Sequence, residues 1–256
     1  MTTTFDLLNT KQALIFGAGH GIGLALVKIL LKNENTCAVR ALYRKKEKAQ
    51  DLFGLQEKYP EKLYIVQIDA NEEKELQSYA NRLKEQDIKI DLMINCIGAL
   101  DGESLLPERK LADISHASLT AAFKVNSIIT PLIAKHFHSL LRHENTTCFV
   151  ALSAKVGSIE DNQLGGWYAY RASKAALNMF IKNIALELKR NRQKTIVLAI
   201  HPGTTITELS KPHIKNTKLK LHTPEETAKH ILEVINKKSI CETGSFYNWN
   251  GDKIKW

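Results

Sequence analysis

The sequence predicts an α/β fold: a doubly wound, Rossmann-like parallel sheet with helices on both faces, built as a single domain over residues 1–256. Three observations predict it. Short apolar runs alternate along the chain with longer amphipathic stretches, and such alternation winds a parallel sheet between two helical layers. A glycine-rich string follows the first run at once and opens a helical stretch. No repeat, low-complexity tract or Pro/Ser-rich linker divides the 256 residues, a length that fills one large core.

The elements follow in order. Apolar runs at 13–16, 37–43, 63–68, 90–97, 148–152 and 195–200 each read as a strand. After the first run, Leu24, Val27, Ile29, Leu30 and Leu31 recur at helical spacing, as a crossover helix requires. Two longer helices are expected around 118–143 and 168–190, with more apolar residues than one buried face needs. The polar, lysine-rich segment 204–222 carries Pro212 and precedes a helix starting near Thr223-Pro224. It reads as a mobile flap over a site, or as a plain surface loop.

Composition narrows the function classes. A formal charge of +9 would suit an acidic partner. The lysines interleave with glutamates along helices, as in Lys45, Lys46, Glu47 and Lys48, so a solvated surface is the better reading and no nucleic-acid partner is expected. Cys37, Cys96, Cys148 and Cys241 are scattered, the first three inside runs that read as buried strands; neither a disulfide framework nor a zinc site is expected. His136 and His138, two apart on a helix, face different directions and do not suit a metal. No stretch reaches the roughly 18 consecutive apolar residues of a membrane span. Residues 1–10 carry no basic stretch ahead of an apolar run. A cytoplasmic protein with no membrane partner is expected.

The first strand runs directly into Gly17-Ala18-Gly19-His20-Gly21-Ile22-Gly23, and a helix follows. Glycine lets the backbone turn sharply and approach a pyrophosphate, whose charge the free amides of a helix start stabilise. Strand, glycine string and helix together point to a dinucleotide. Such sites usually carry an acid at the end of the second strand to hold the adenosine ribose. Here that stretch reads Val39-Arg40-Ala41-Leu42-Tyr43-Arg44-Lys45-Lys46, with no acid in it. Beside Tyr43, Arg44 offers a planar fork of donors suited to a 2′-phosphate, with Lys45 or Lys46 as second contacts; NADP(H) is expected in preference to NAD(H). Asp69, followed by Ala70 at the end of the third strand, either accepts from the adenine amino group or caps a helix beginning near Asn71.

Tyr170 and Lys174 lie four apart in the 168–190 helix and so share a face, whereas Tyr168 has Ala172 at that spacing. A cation at ~4 Å in an effective dielectric of ~20 contributes roughly 4 kcal/mol, about three pKa units. That would bring the Tyr170 phenol into range as a proton donor and acceptor.

From the glycine loop to its C-terminus the chain resembles the single-domain short-chain dehydrogenase/reductase family, and the runs Ser153-Ala154-Lys155-Val156-Gly157-Ser158 and Gly165 to Lys174 resemble its C-factor-like members. The resemblance rests on the Gly17-x-x-x-Gly21-x-Gly23 spacing, Asn95-Cys96-Ile97-Gly98 after the fourth strand, and Asn126 in Lys124-Val125-Asn126-Ser127. Ser153, the Tyr170/Lys174 pair and His201-Pro202-Gly203-Thr204 complete it. It implies hydride transfer between a nicotinamide and a carbonyl or alcohol carbon. Tyr170 would exchange the proton with the substrate oxygen, Lys174 would lower its pKa and hold the nicotinamide ribose, Ser153 would bond the substrate oxygen, and Asn126 would support a water-linked proton path. Asn95, Cys96, Ile97 and Gly98 would pass close to the cofactor, Pro202, Gly203 and Thr204 near the nicotinamide, and Asp69 near the adenine. Pairing of the two long helices would make a homodimer or homotetramer.

The chain also departs from that pattern. Phe16 stands for a usual Thr, Cys96 for a usual second Asn, and Ala154 for the second of two serines, the catalytic one. Because successive strand residues face opposite ways, Ser153 serves only if the backbone register shifts there; Ser158 is a remoter candidate. The missing serine also encourages a second reading, a cofactor-binding signalling or sensor protein with little turnover. Trp167 belongs either to the mouth of a substrate pocket or to the core, and Trp249 and Trp256 read as packing residues.

Overall fold

The computed structural model describes residues 4–102, 105–214, 219–236 and 238–256. Strand β1 (Gln12–Phe16) leads into α1 (Gly21–Lys32), and β2 (Ala38–Tyr43), α2 (Gln50–Lys58), β3 (Leu63–Gln67), α3 (Glu73–Glu85) and β4 (Leu92–Asn95) follow in strict alternation. Helices α4 (His116–Phe123) and α5 (Ile129–Phe137), strand β5 (Thr147–Leu152), helix α6 (Tyr168–Arg190) and strand β6 (Thr195–His201) continue it. Two short strands, β7 (Thr204–Thr205) and β8 (Leu221–His222), precede α7 (Pro224–Asn236), and β9 (Ser245–Asn248) and β10 (Lys253–Ile254) complete the order.

The main sheet runs β10-β9-β6-β5-β4-β1-β2-β3. Its pairs are parallel except for antiparallel β9 and β10. Because β2 lies on one side of β1 and β4 on the other, the connections leave in opposite directions. A crevice therefore opens beyond the carboxyl ends of β1 and β4, where doubly wound sheets bind their ligands.

Period-two alternation divides the strands between two cores. Ala13, Ile15, Val39, Ala41, Ile94, Val150 and Leu198 pack under α1 and α7, while Leu14, Phe16, Leu42, Met93, Phe149 and Val197 pack under α3, α5 and α6. Both faces are covered, which is why these strands read as continuous apolar runs. Phe16 is spent here: its ring meets Phe137 edge-on at 5.2 Å.

The structure corrects several expectations. Cys37 precedes β2 and is exposed, so it is no part of a buried strand. The helix expected around 118–143 is interrupted by a π-helical turn at Lys124–Ile128 and ends in a 3-10 turn, His138–Leu141. By length and composition His116–Leu141 is apolar enough to cross a membrane; Ile129, Ile133 and Phe137 use that apolarity as core contacts. Strands β9 and β10 have no counterpart in the sequence reading. Four residues, Ser-Phe-Tyr-Asn, carry too little pattern to signal a strand, and β9 exists because the edge of β6 pairs with it. His136 bonds Glu73 and His138 bonds Ala134 O, so the two histidines serve different partners.

The ends of the 204–222 segment are pinned, Thr204 opposite Leu221 and Thr205 opposite His222. Its residues 215–218 lie outside the described residues.

Candidate active site

At the carboxyl end of β1 the chain turns through Gly17 (φ 74°) and Gly21 (φ 56°), left-handed conformations that glycine adopts without strain. A methyl on Gly17 would stand 3.2 Å from Ile97 N, and one on Gly23 would stand 2.2 Å from Gly17 O. Gly23 thus lets α1 sit directly on the loop, and Gly17 lets the loop meet the segment after β4. His20, at the cap position of α1, is extended and makes no side-chain cap bond, which leaves the leading amides available to an anion.

A cavity of about 380 Å³ beside this loop is lined by Gly17, Gly19, His20, Tyr43, Arg44, Asp69 and Ala70, together with Lys45 and Lys48. Lys46 is elsewhere, its ammonium over the Phe53 ring. Lys48 pairs with Glu208 of the 204–222 segment at 2.5 Å. Asp69 accepts from Asn71 N (3.0 Å) and Asn71 Nδ2 (2.8 Å). Helix α3 starts only at Glu73, so Asp69 closes a turn ahead of the helix and does not cap it.

A second cavity, of about 530 Å³, shares Cys96, Ile97 and Gly98 with the first. Ile22, Ser153, Tyr170, Lys174, Pro202, Gly203, Thr204 and Trp167 line it; Tyr168 and Ser158 are not among its lining residues. Gly157 lets the loop after β5 lie against α6, since a methyl there would stand 2.7 Å from Lys174 Cβ. Lys174 is buried, donates to Leu152 O at 2.9 Å and lies 5.9 Å from the Tyr170 ring centre. Burial pushes the Lys174 ammonium down to about 8 and the Tyr170 phenol up to about 12. The lowering expected for the phenol is thus overturned. The cause is burial, which penalises the phenolate.

Asn126 stands in the π-helical turn, a distortion frequent at functional sites. Its Oδ1 accepts from Ala99 N and its Nδ2 donates to Ala99 O, both at 2.8 Å, and to Ser173 Oγ at 3.2 Å. A methyl on Gly98 would lie 3.3 Å from both Asn126 Oδ1 and Lys174 Nζ, so the two side chains converge on one spot.

Four expected site residues do not line either cavity. Gly21 and Gly23 shape the start of α1. Asn95 is buried and spent on the backbone turn, donating to Thr130 Oγ1 at 2.9 Å and accepting from Ile97 N at 3.0 Å. Asn126 lies one layer behind the wall. Ser153 needs a further correction. The β5–β6 ladder continues regularly through Ser153 N to Ile200 O, so no register shift turns its side chain. Its hydroxyl donates to Asn178 Oδ1 at 2.6 Å, a buried bond, while Ala154 also lines the cavity.

Two residues, Asn178 and Glu108, escaped the sequence reading, and a third, His201, was named there only as part of its motif. Asn178 lies one turn beyond Lys174 on α6 and holds Ser153 and, through Nδ2, Gly157 O; its spacing from Lys174 was the available signal. Glu108 is buried and accepts from Ala169 N and Ser118 Oγ, while its carbonyl accepts from Trp167 N. It fixes the entry to α6, where Trp167 adopts φ 49°. His201 ends β6 and lines the second cavity. Its Nδ1 is buried with no hydrogen-bond partner among the described residues. Burial, with Lys155 and Lys174 nearby, pushes this imidazole down to about 4. Behind the 202–204 turn, Trp249 packs against His222 at 4.4 Å and His230 at 4.9 Å, and Trp256 stacks on Phe246.

The short chain dehydrogenase family model matches residues 11–218. An uncharacterized oxidoreductase of Saccharomyces cerevisiae is 27% identical over 266 residues, covering 96% of this chain and 99% of that protein. C-signal of Myxococcus xanthus is 27% identical over 146 residues, 57% of this chain and 83% of C-signal. Among solved structures, the NADPH-bound carbonyl reductase from chicken fatty liver is similar at a TM-score of 0.85 and 25% identity, covering 98% of this chain and 96% of that one.

Proposed function

The chain belongs to the short-chain dehydrogenase family, and on that premise we propose that it is an NADP(H)-dependent oxidoreductase moving a hydride between the nicotinamide and a small carbonyl or alcohol substrate. One observation carries the reading: the cavity lined by Arg44 and the cavity lined by Tyr170 and Lys174 share the wall Cys96-Ile97-Gly98. The glycine cradle fits a dinucleotide, because a side chain at Gly17 would press on Ile97. Arg44, Lys45 and Lys48, which follow β2 and line the first cavity, fit a 2′-phosphate, and residues 39–46 carry no carboxylate to repel it. The similarity to an NADPH-bound carbonyl reductase points the same way. When bound, the nicotinamide gives or takes the hydride.

The chain's own residues handle the proton. A Tyr170 phenol held at about 12 keeps its proton until the substrate oxygen gathers charge, and then donates it. Lys174 spends one of its three donors on Leu152 O and keeps two for the ribose and the phenol. Asn126 ties Ala99 to Ser173 and so fixes the wall between the cavities. Trp167 and the flap residues Thr207, Leu209 and Ile214 shape the substrate side. Exposed Ile128, Met179 and Leu186 on the two long helices support pairing as a homodimer or homotetramer. Free cysteines, two of them exposed, suit the reducing cytoplasm.

Titration with NADPH and NADH, followed by NADPH oxidation against a panel of aldehydes, ketones and quinones, tests the reading. Preference for NADPH and multiple turnovers are expected. Equal affinities refute the cofactor preference. The second reading, a cofactor-binding sensor with little turnover, draws on Ala154 and on the engaged Ser153 hydroxyl; NADPH binding with no turnover of any panel member would establish it instead.

A further inference from the structure

Carbonyl reduction places negative charge on the substrate oxygen, and sites that stabilise such charge hold more than one donor against it. Tyr170 supplies one, so the identity of the second can be sought on the cavity wall. Most polar groups there are engaged. The Ser153 hydroxyl is given to Asn178, and the Thr205 hydroxyl is bonded to Thr227. Arg171 donates to Gly165 O and Val156 O, and the exposed Lys155 pairs with Asp161 at 3.3 Å. The Ser210 hydroxyl bonds Thr205 O.

His201 differs on three counts. It lines the cavity together with Tyr170 and Lys174, and its buried Nδ1 has no partner among the described residues. It also stands at the right place in the sheet. Leu152 is the register partner of Ile200, and Ser153 N bonds Ile200 O, so His201 follows on the strand adjacent to Ser153-Ala154. Asn248, another lining residue, is the register partner of His201 and sits one strand further out.

We propose that the His201 imidazole donates the second hydrogen bond to the substrate oxygen, on the stretch of wall where Ala154 offers no hydroxyl, so that the reacting oxygen is held between Tyr170 and His201. This rests on the oxidoreductase reading. The imidazole acts in its neutral form, with one N–H: its displacement to about 4 by burial and by Lys155 and Lys174, opposed by Asp161, keeps it unprotonated near neutrality. The proton that ends on the substrate oxygen still comes from Tyr170. His201 transfers none and is unchanged by the turnover.

The test uses the full chain with NADPH and 4-nitrobenzaldehyde, an aromatic aldehyde without an ionisable group. His201→Ala is expected to lower kcat roughly 10²-fold, the usual cost of one lost donor to a developing oxyanion, with NADPH affinity unchanged. His201→Gln, which retains an amide N–H, and the double variant His201→Ala/Ala154→Ser, which brings a hydroxyl to the neighbouring strand end, are each expected to regain about tenfold or more of that loss. An unchanged kcat in His201→Ala overturns the proposal, as does a loss that neither variant relieves, which marks a purely structural role. A second measurement needs no turnover. With NADP+ bound, the side-chain nitrogen resonances of 15N-labelled His201 are expected to shift when the aldehyde is added, and unmoved resonances overturn the proposal. Failure of the wild type to bind either cofactor would instead bring down the oxidoreductase reading, so the two failures are distinguishable.

Discussion

Replacing His201 with Gln is expected to flatten the acid limb of the stability curve. The imidazole is held at about 4 in the folded chain against an ordinary 6.5, first by burial and then by the nearby Lys155 and Lys174, with Asp161 opposing them. Between those values the unfolded chain binds a proton that the folded chain refuses. Stability is therefore fully present above pH 6.5 and is lost as the pH falls through about 4. The difference corresponds to roughly 3 kcal/mol, less whatever water in the cavity screens. Urea unfolding of wild type and His201→Gln at about pH 7 and about pH 4 isolates the effect. His20 and His222, also pushed down by burial, contribute equally to both proteins and cancel. The wild type is expected to lose some 2–3 kcal/mol more than the variant. Parallel losses would refute the claim that this imidazole is buried as a neutral group.

Other consequences can be checked independently. Tyr170→Phe is expected to lower turnover by a factor on the order of 10² to 10⁴, while Tyr168→Phe, outside both cavities, leaves the chemistry largely intact; the reverse result in steady-state kinetics would misplace the catalytic helix face. Arg44→Asp is expected to weaken NADPH binding by a few kcal/mol and NADH binding far less, as cofactor titration would show. Gly203→Ala places a methyl 2.9 Å from Trp249 Cδ1 at φ 79°, and a stability loss of roughly 1–3 kcal/mol by urea unfolding is expected. Sedimentation at micromolar concentration is expected to show a dimer or tetramer.

The parts of this site that were legible in the sequence are those whose chemistry is local. The glycine string, Arg44 after β2 and the Tyr170/Lys174 spacing each declare themselves within a few residues, because a tight turn, a strand end or one helix face requires it. The remainder is assembled across the fold. Glu108 meets Ala169 from 61 positions away and Asn178 meets Ser153 from 25, and no periodicity announces such pairings. His201 was visible in its motif, but its importance comes from the strand beside it, which only sheet order reveals. The phenol of Tyr170 shows the same limit from the energetic side. Spacing correctly predicts that a lysine is near, and says nothing of the carbonyl of Leu152 that engages it or of the burial that raises the phenol.

The partition of the site also bears on how such a chain can diversify. The first cavity draws Gly17, Arg44 and Asp69 from the ends of β1, β2 and β3, on one side of the switch point, and the 204–222 segment hangs from β6 on the other. On the function proposed above, substrate choice and coenzyme choice would be carried by separate stretches of sequence, so that one could be rewritten while the other stands. Among the described residues an ion pair ties the two, Lys48 to Glu208. A lineage that exchanged the 204–222 segment would need to keep an acid at position 208, or lose that tie.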